Sequence, residues 1–224
     1  VTAIAGGFRT GYAVRGDGTV WAWGSGWAGA LGNGDTADSP VPVQVSGLTD
    51  VTAIAAGVST DYALRGDGTV WAWGYGGYGE LGNGGTADSL VPVQVSGLTG
   101  VTAIAGGGYT GYAVRGDGTV WAWGSGGYGE LGNGGTADSL VPVQVSGLTD
   151  VTAIAAGSFN GYAVRGDGTV WAWGYGGYGA LGNGGTADSP VPVQVSGLTG
   201  VTAIAAGEYT DYALTPEPSG AEGS

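Results

Sequence analysis

Cysteine, histidine, lysine and methionine are all absent from the 224-residue sequence. Their absence excludes disulfides and thiolate metal sites, and leaves a catalytic site without a histidine or lysine base or a cysteine nucleophile. No apolar run approaches the roughly 20 residues that a membrane-spanning helix needs. Cations are also scarce: five arginines face 18 acidic residues, for a net charge of −13. The acidic excess repels phosphate backbones, so we expect neither nucleic-acid binding nor membrane association.

Glycine, tryptophan and tyrosine are abundant instead, at 53, 9 and 12 residues. The glycines follow no every-third-residue period, which excludes collagen. The aromatic residues and the alternation of Val, Ile and Ala argue against a disordered chain. Self-similarity has a period of 50 residues. Four full copies begin at Val1, Val51, Val101 and Val151, and a partial copy covers 201–214. We predict one repeat domain over residues 1–214 and a flexible tail at 215–224.

Each copy is organised around the segment Tyr-Ala-Val-Arg-Gly-Asp-Gly-Thr-Val-Trp-Ala-Trp-Gly, residues 12–24 in the first copy. It predicts a β-hairpin with strands at 12–15 and 19–23, because the turn Gly16-Asp17-Gly18 tolerates positive backbone dihedrals. Trp21 and Trp23 fall on one face of their strand. At this regular spacing we expect them to pack between modules rather than to form a sugar-stacking platform.

Two further strands complete each copy. Residues 1–5 form a small apolar strand suited to a crowded centre, and residues 41–45 form the last strand. Pro42 and its copies lie inside that last strand and cannot donate to a sheet ladder, so it should be the outer edge. Four-stranded antiparallel sheets repeated around an axis predict an all-β β-propeller of about four blades per chain. The alternative is a β-solenoid, whose parallel coils do not suit the hairpin.

Four blades with the curvature of a larger ring leave an open arc with exposed edges, and exposed edges invite pairing with another chain. We therefore expect a homodimer, through ring completion into an eight-bladed two-chain propeller or through edge strands. The partial copy at 201–214 duplicates the first two strands of a blade, so one such pair is surplus. Positions 25, 75, 125 and 175 read Ser, Tyr, Ser, Tyr, which indicates duplication of a 100-residue pair of copies.

The Val-Trp-Ala-Trp-Gly segment, followed at this period by Tyr-Gly-Glu-Leu-Gly-Asn-Gly, resembles the regulator of chromosome condensation repeat. Residues 101–150 are the best single example, and the resemblance extends over 1–214. It implies a β-propeller, commonly of seven blades. Members of the family include guanine-nucleotide exchange factors, secreted β-lactamase inhibitory proteins and plain interaction domains. The family often has a histidine just before the Ala-Leu strand; here Gly11, Asp61, Gly111, Gly161 and Asp211 precede the Tyr-Ala pair instead. No exchange motif and no basic chromatin-binding tail are present.

Differences among the copies fall in two groups. The first lies in the loop between the first two strands: Phe8, Arg9, Val58, Ser59, Gly108, Tyr109, Ser158, Phe159, Glu208 and Tyr209. The second follows the hairpin: Trp27, Tyr78, Tyr128 and Tyr178, with Ala30, Glu80, Glu130 and Ala180. A propeller places the first group around one rim, which predicts a recognition face with aromatic anchors. The alternative is neutral drift at exposed loop positions.

Three further motifs are weaker indicators of function. Arg15-Gly16-Asp17 spells an adhesion tripeptide, but Gly-Asp-Gly is the hairpin turn. The segment 33–38 hints at a calcium loop, yet Gly replaces Asp35 in the other copies, which favours an Asx turn. Pro216-Glu217-Pro218 is weakly similar to the start of a bacterial surface-sorting signal, so we expect an exported bacterial origin.

The sequence thus predicts a non-enzymatic scaffold for protein recognition, with no cofactor and no metal. The alternatives are a carbohydrate-binding propeller, a recently amplified or engineered repeat with no selected ligand, and an exchange factor.

Overall fold

The chain folds into four four-stranded antiparallel sheets and a two-stranded sheet, in a computed structural model that describes residues 1–207 and 211–215. Blade one contains β1 (Ala3–Gly6), β2 (Thr10–Val14), β3 (Val20–Gly24) and β4 (Ser39–Gln44). Blade two contains β5 (Val51–Ala56), β6 (Thr60–Arg65), β7 (Val70–Gly74) and β8 (Ser89–Gln94). Blade three contains β9 (Val101–Gly106), β10 (Thr110–Arg115), β11 (Val120–Gly124) and β12 (Ser139–Gln144). Blade four contains β13 (Val151–Ala156), β14 (Asn160–Arg165), β15 (Val170–Gly174) and β16 (Ser189–Gln194). The two-stranded sheet contains β17 (Ala203–Ala206) and β18 (Asp211–Leu214). Single 3-10 turns occur at Trp27–Gly29 and Gly177–Gly179.

The predicted hairpin is confirmed as β2 and β3. Gly18 has φ of +76°, the left-handed conformation that the turn requires. Asp17 Oδ1 accepts the backbone N–H and the hydroxyl of Thr19, at 3.1 and 2.7 Å. These hydrogen bonds lower the pKa of the Asp17 carboxyl. The strand bounds differ from the prediction: β2 spans Thr10–Val14 rather than 12–15, and β3 spans Val20–Gly24 rather than 19–23. Thr10 and Gly24 form the pair at the end away from the turn.

The proline-containing strand is the outer edge of its blade, as predicted. Strand order in blade one is β1-β2-β3-β4 in chain order, and the other three blades have the same topology. The register between β3 and β4 is interrupted between Ala22 and Gly24, where their partners are Val43 and Ser39. The irregularity lies beside the proline, which has no N–H for the ladder.

The small apolar strands line the centre. β1 lies against β5, β5 against β9, β9 against β13 and β13 against β17. Their rim ends converge so tightly that backbones touch: a Cβ on Gly57 would come within 2.6 Å of the Gly107 carbonyl oxygen. A side chain at this position would push the blades apart, which accounts for the glycine that recurs there in every copy.

A tryptophan joins each blade to the one before it. Trp73, Trp123 and Trp173 are each 0% exposed, and each packs across a junction. Trp73 Nε1 donates to the Ala30 carbonyl at 3.0 Å and meets the Tyr12 ring edge-on. Gly32 leaves room for the indole, since a Cβ there would lie 3.0 Å from Trp73 Cδ1. The predicted packing role of these tryptophans is confirmed at the three junctions.

The blades form an open arc. In blade one Trp23 is 36% exposed and Ile4 is 77% exposed. At the other end, a pocket of about 320 Å³ lies where blade four meets β17–β18, lined in part by Ala180, Gly182 and Val195. Gly182 corresponds to Gly32, and among the described residues no tryptophan occupies this pocket. In the described part of the chain, β17–β18 covers blade four without filling the counterpart of the tryptophan socket.

Residues 216–224 of the predicted tail lie outside the described part of the chain. Within the part that is described, no helix is both long and apolar enough to cross a membrane.

Candidate binding surface

Two loops meet along one rim of every blade. The end of the first strand, the start of the second and the end of the third are neighbours in the antiparallel register, as for Gly6, Gly11 and Trp23 in blade one. The loops are tied together by backbone hydrogen bonds, such as that from the Tyr75 N–H to the Ser59 carbonyl at 2.9 Å. The two variable groups therefore share one rim.

Aromatic side chains gather into two clusters on this rim. The first aromatic cluster comprises Trp27, Tyr75, Tyr78 and Tyr109, and the second comprises Tyr128, Phe159 and Tyr175. Trp27 stacks on Tyr75 with ring centroids 5.7 Å apart, and Tyr78 meets Tyr109 edge-on at 5.4 Å. In the second cluster, Tyr128 lies 5.5 Å from Phe159. The first cluster joins residues of three blades and the second joins residues of two, so only the folded arc assembles them.

The clusters remain accessible to a partner. Trp27 is 59% exposed, and Tyr78 and Tyr128 are 45% and 44% exposed. Stacked and edge-to-face contacts hold these rings in place, which lowers the entropy lost when a partner packs on them.

The other predicted residues occupy the same rim with different roles. Phe8 is exposed and lies under the Arg9 guanidinium, 4.9 Å from it. Gly108 is a packing position, because a Cβ there would come within 2.4 Å of the Ser158 carbonyl oxygen. Val58 and Ser59 line a pocket at the first junction, whereas Tyr178 stands 94% exposed. Glu208 and Tyr209 lie outside the described residues.

Asp61, which the sequence prediction did not include among the binding residues, is buried at the junction of blades one and two with 2% exposure. Its Oδ2 lies 2.6 Å from the Tyr12 hydroxyl, and that hydroxyl also lies 2.6 Å from the Ala30 carbonyl oxygen. The single hydrogen of the Tyr12 phenol is thus shared between two acceptors, Asp61 Oδ2 and the Ala30 carbonyl oxygen. Burial raises the pKa of the Asp61 carboxyl to about 8.

Glu80 and Glu130 bury carboxyls at the next two junctions. Glu80 Oε2 accepts the Tyr78 N–H at 2.8 Å, and Glu130 Oε2 accepts the Tyr128 N–H at 2.7 Å. Burial raises the pKa of Glu80 to about 7 and raises the pKa of Glu130 as well. In the described part of the chain, Asp61 Oδ1 and Glu80 Oε1 are the buried side-chain oxygens without a hydrogen-bond partner.

Comparison of the copies could have pointed to these carboxyls, because an acidic residue occurs at one or the other of two positions 31 residues apart. The pairs read Ala30 with Asp61, Glu80 with Gly111, Glu130 with Gly161, and Ala180 with Asp211. Each pair supplies one acid, from one blade or from the next. At the first junction the two positions meet, as the Tyr12 hydroxyl shows by lying beside both Ala30 and Asp61. The Ser and Tyr alternation at position 25 likewise marked Tyr75 and Tyr175, whose place in the clusters was not predicted.

Polar turns elsewhere are satisfied locally. The Asp17 carboxylate is occupied by Thr19, as described above, and Asn83 Oδ1 accepts the Gly85 N–H at 3.0 Å in an Asx turn. Among the described residues, no group of three or more acidic side chains is placed to hold a metal ion.

Comparison with protein-family models identifies the regulator of chromosome condensation (RCC1) repeat at residues 17–64, 67–114, 117–164 and 167–214. A second model of the same repeat matches residues 101–130 and 151–180. A comparison with curated protein sequences gives no match. The four matched segments begin at the turn of each hairpin and end on the second strand of the following blade.

Among solved structures, human WBSCR16 superposes with a TM-score of 0.86 at 26% identity, over 95% of this chain and 57% of that one. Prp20p from Saccharomyces cerevisiae superposes with a TM-score of 0.82 at 23% identity, over 94% of this chain and 55% of that one. The ectodomain of the Arabidopsis thaliana receptor kinase ACR4 gives 0.53 at 18% identity, over 95% and 58% of the two chains. This chain spans a little over half the length of these structures.

Proposed function

Because the chain belongs to the regulator of chromosome condensation repeat family, we propose that it is a non-enzymatic β-propeller scaffold that recognises a protein partner. The observation that carries the proposal is the pair of aromatic clusters on one rim, each assembled across a junction. Exposed aromatic side chains held in fixed positions are typical of the residues that dominate protein interfaces. Neutral drift would not need to bring Tyr78 and Tyr109, or Tyr128 and Phe159, into ring contact across blades.

A protein partner has precedent among the similar structures. Prp20p is described with binding properties to Gsp1p and histones, and another structure holds Kap60 bound to the same yeast protein. At 23% identity these structures establish a shared fold, so a protein partner for this chain is our inference. The net charge of −13 favours a partner whose contacting surface is neutral or basic.

Catalysis has little support in the described residues. The buried carboxyls of Asp61 and Glu80 belong to different junctions, and each serves contacts within its own junction. An exchange-factor role has no residues to assign. The near-identity of the copies supports the alternative of a recently amplified repeat with no selected ligand. Affinity capture with matched variants separates this alternative from protein recognition.

The test is affinity capture with two matched variants. The rim variant carries Tyr109→Ala and Phe159→Ala, one substitution in each aromatic cluster. The control variant carries Val91→Ala and Val141→Ala, which remove side chains 40% and 42% exposed on the outer strands. We expect the native chain and the control variant to enrich the same partner proteins. The rim variant should recover at least about tenfold less of these partners. Equal capture by all three, with equal thermal stability, would refute recognition through the rim.

We also propose that the chain forms a homodimer through ring completion. Trp23 has no socket, while the socket beside Ala180, Gly182 and Val195 has no tryptophan. Blade one of a second copy could insert Trp23 there, in the way that Trp173 enters the socket of blade three. The pair β17–β18 occupies that place and would be displaced; its Tyr212 and Leu214 are 67% and 65% exposed. If blade one of the first copy made the same contact with blade four of the second copy, the two chains would close into a ring.

A further inference from the structure

The pocket where blade four meets β17–β18, here called the Ala180 pocket, repeats the core of the third junction without its tryptophan. At the third junction Trp173 is buried in a cluster with residues of blade three, namely Tyr112, Val120, Leu131, Val145 and Leu148. The residues 50 positions later line the Ala180 pocket: Tyr162, Val170, Leu181, Val195 and Leu198. The facing wall repeats as well, since Ala163 of the third junction corresponds to Ala213 in the pocket. The same set of side chains that encloses an indole ring at the third junction therefore lines this pocket.

The pocket is open because the described sheet β17–β18 has two strands, where each complete blade has four. In a complete blade the third strand carries the tryptophan that enters the preceding socket, as β15 carries Trp173. Among the described residues no tryptophan takes that place in the Ala180 pocket. Gly182 is accordingly exposed, whereas its counterpart Gly132 is buried against Trp173. In the described part of the chain, the socket wall is accessible to a ligand.

The hydrogen-bond acceptor of the socket is also present. At the third junction the Glu130 carbonyl oxygen accepts the Tyr112 hydroxyl at 2.8 Å and Trp173 Nε1 at 2.7 Å. In blade four the Ala180 carbonyl oxygen accepts the Tyr162 hydroxyl at 2.9 Å, and no second donor to it occurs among the described residues. A carbonyl oxygen has two lone pairs, so Ala180 can accept one more N–H. Ala180 is half-buried, whereas Glu130 is 2% exposed, so a ligand in the pocket can approach this carbonyl.

The size and lining of the pocket suit a flat apolar ring with one donor. Its volume is about 320 Å³. An apolar cavity of about 150 Å³ is enough to bind benzene in an engineered protein, so a bicyclic ring can be accommodated here. The aliphatic walls at Leu181 and Val195 favour a ligand with little hydration to lose. Indole combines an apolar bicyclic ring with a single N–H, and it is the group that the three filled sockets enclose.

We propose that the Ala180 pocket binds free indole, with the indole N–H donating to the Ala180 carbonyl oxygen and the ring packed between Leu181 and Ala213. The ligand is a small molecule that binds one chain with β17–β18 in place. The inference therefore goes beyond protein recognition and ring completion, and rests on neither.

Binding is tested by titrating indole into the Trp23→Ala variant, followed by calorimetry and by NMR chemical shifts. This variant prevents Trp23 of a second copy from competing for the pocket, so the result does not depend on whether the native chain dimerises. Indole should bind with a Kd on the order of 0.1–1 mM, as expected for a ligand of this size. Absence of saturable binding up to about 10 mM would overturn the proposal.

A second ligand, 1-methylindole, tests the hydrogen bond to Ala180. It keeps the bicyclic ring but has a methyl group in place of the N–H, which leaves the carbonyl without its second donor. We expect it to bind at least about tenfold more weakly than indole. Equal binding of the two compounds would contradict the placement of the N–H at Ala180.

Two substitutions on β18 locate the site. Ala213 lines the pocket and is exposed, so Ala213→Phe places a ring in the open space and should abolish indole binding. Leu214→Ala changes a neighbouring side chain that is 65% exposed, and indole binding should stay within about threefold of that of the parent chain. Thermal unfolding verifies that both variants fold.

Undiminished indole binding by a folded Ala213→Phe variant would show that indole binds elsewhere, and the proposal would be wrong. Ala213→Phe leaves both aromatic clusters on the rim unchanged. Loss of indole binding and loss of protein capture therefore remain separate results.

Discussion

The Asp61 carboxyl lies between two blades at 2% exposure, and this burial raises its pKa to about 8 against the opposing effect of the hydrogen bond from Tyr12. The acids of the hairpin turns behave oppositely: Asp17, Asp67, Asp117 and Asp167 have pKa values lowered by bonds from the neighbouring Thr. Burial therefore raises the pKa of the acid at the junction, whereas hydrogen bonds lower the pKa values of the acids in the exposed turns.

The buried acids predict that stability falls from mildly acidic to mildly alkaline pH. With a pKa of about 8 for Asp61 and about 7 for Glu80, the folded chain holds protons that the unfolded chain releases near pH 4. Their stabilising contribution is complete below that unfolded value and is lost as the pH rises to the folded values. Each group gives a slope of up to about 1.4 kcal/mol per pH unit. Urea unfolding at pH 5, 6, 7 and 8 measures the trend.

Asp61→Asn is the matched variant for this effect. It removes one titrating group without changing shape, so it should reduce the pH 5 to 8 loss by roughly 3 kcal/mol. Asp17→Asn, in an exposed turn, should leave the slope unchanged over this range. A pH profile of Asp61→Asn identical to the native one would show that Asp61 is not protonated in the folded chain.

The segment Val-Trp-Ala-Trp-Gly is identical in the four complete blades, yet its second tryptophan meets different surroundings. Trp73, Trp123 and Trp173 enter sockets on the preceding blade, whereas Trp23 is 36% exposed. The strand supplies the same side chain each time, and its contribution to stability depends on whether a neighbouring blade buries it.

Removing this tryptophan should therefore cost different amounts in different blades. Trp123→Ala deletes a buried indole and its hydrogen bond to the Glu80 carbonyl, and should lower the free energy of unfolding by about 3–5 kcal/mol. Trp23→Ala should cost about 1 kcal/mol or less in dilute solution. Chemical unfolding of the two variants, followed by circular dichroism, tests the contrast. Equal losses would mean that the junctions do not carry the stability of the arc.

The described residues form an arc, with Trp23 partly exposed in blade one and a pocket without a tryptophan beside Ala180 in blade four. Repeat architectures bury their cores between neighbouring modules; here the face of blade one that holds Trp23 has no neighbouring blade, and the face of blade four is covered by the strand pair β17–β18. A heterologous contact between copies either closes into a ring or continues as a filament. Four blades per chain allow closure with two copies.

Light scattering over a range of concentrations tests this assembly. The native chain should rise from 21.7 kDa toward twice that mass as concentration increases. Trp23→Ala and Ala180→Trp, which alter the two ends separately, should each remain at the mass of one chain. A native chain that stays monomeric into the high micromolar range would rule out the dimer.

The sequence by itself determined the module. The 50-residue period, the hairpin around Asp17 and the outer strand containing Pro42 all follow from local rules. Turn residues and strand alternation act within a few residues of the chain, so they can be recognised in the sequence without knowledge of the fold.

Only the tertiary structure decided what happens between modules. The aromatic clusters, the burial of Asp61 and the contrast between Trp23 and Trp123 depend on which side chains face each other across a junction. Those contacts join residues about 31 to 50 positions apart, and their burial and hydrogen bonding are set by the angle between blades. Nothing in a single copy specifies that angle, because it arises from the packing of one sheet on the next.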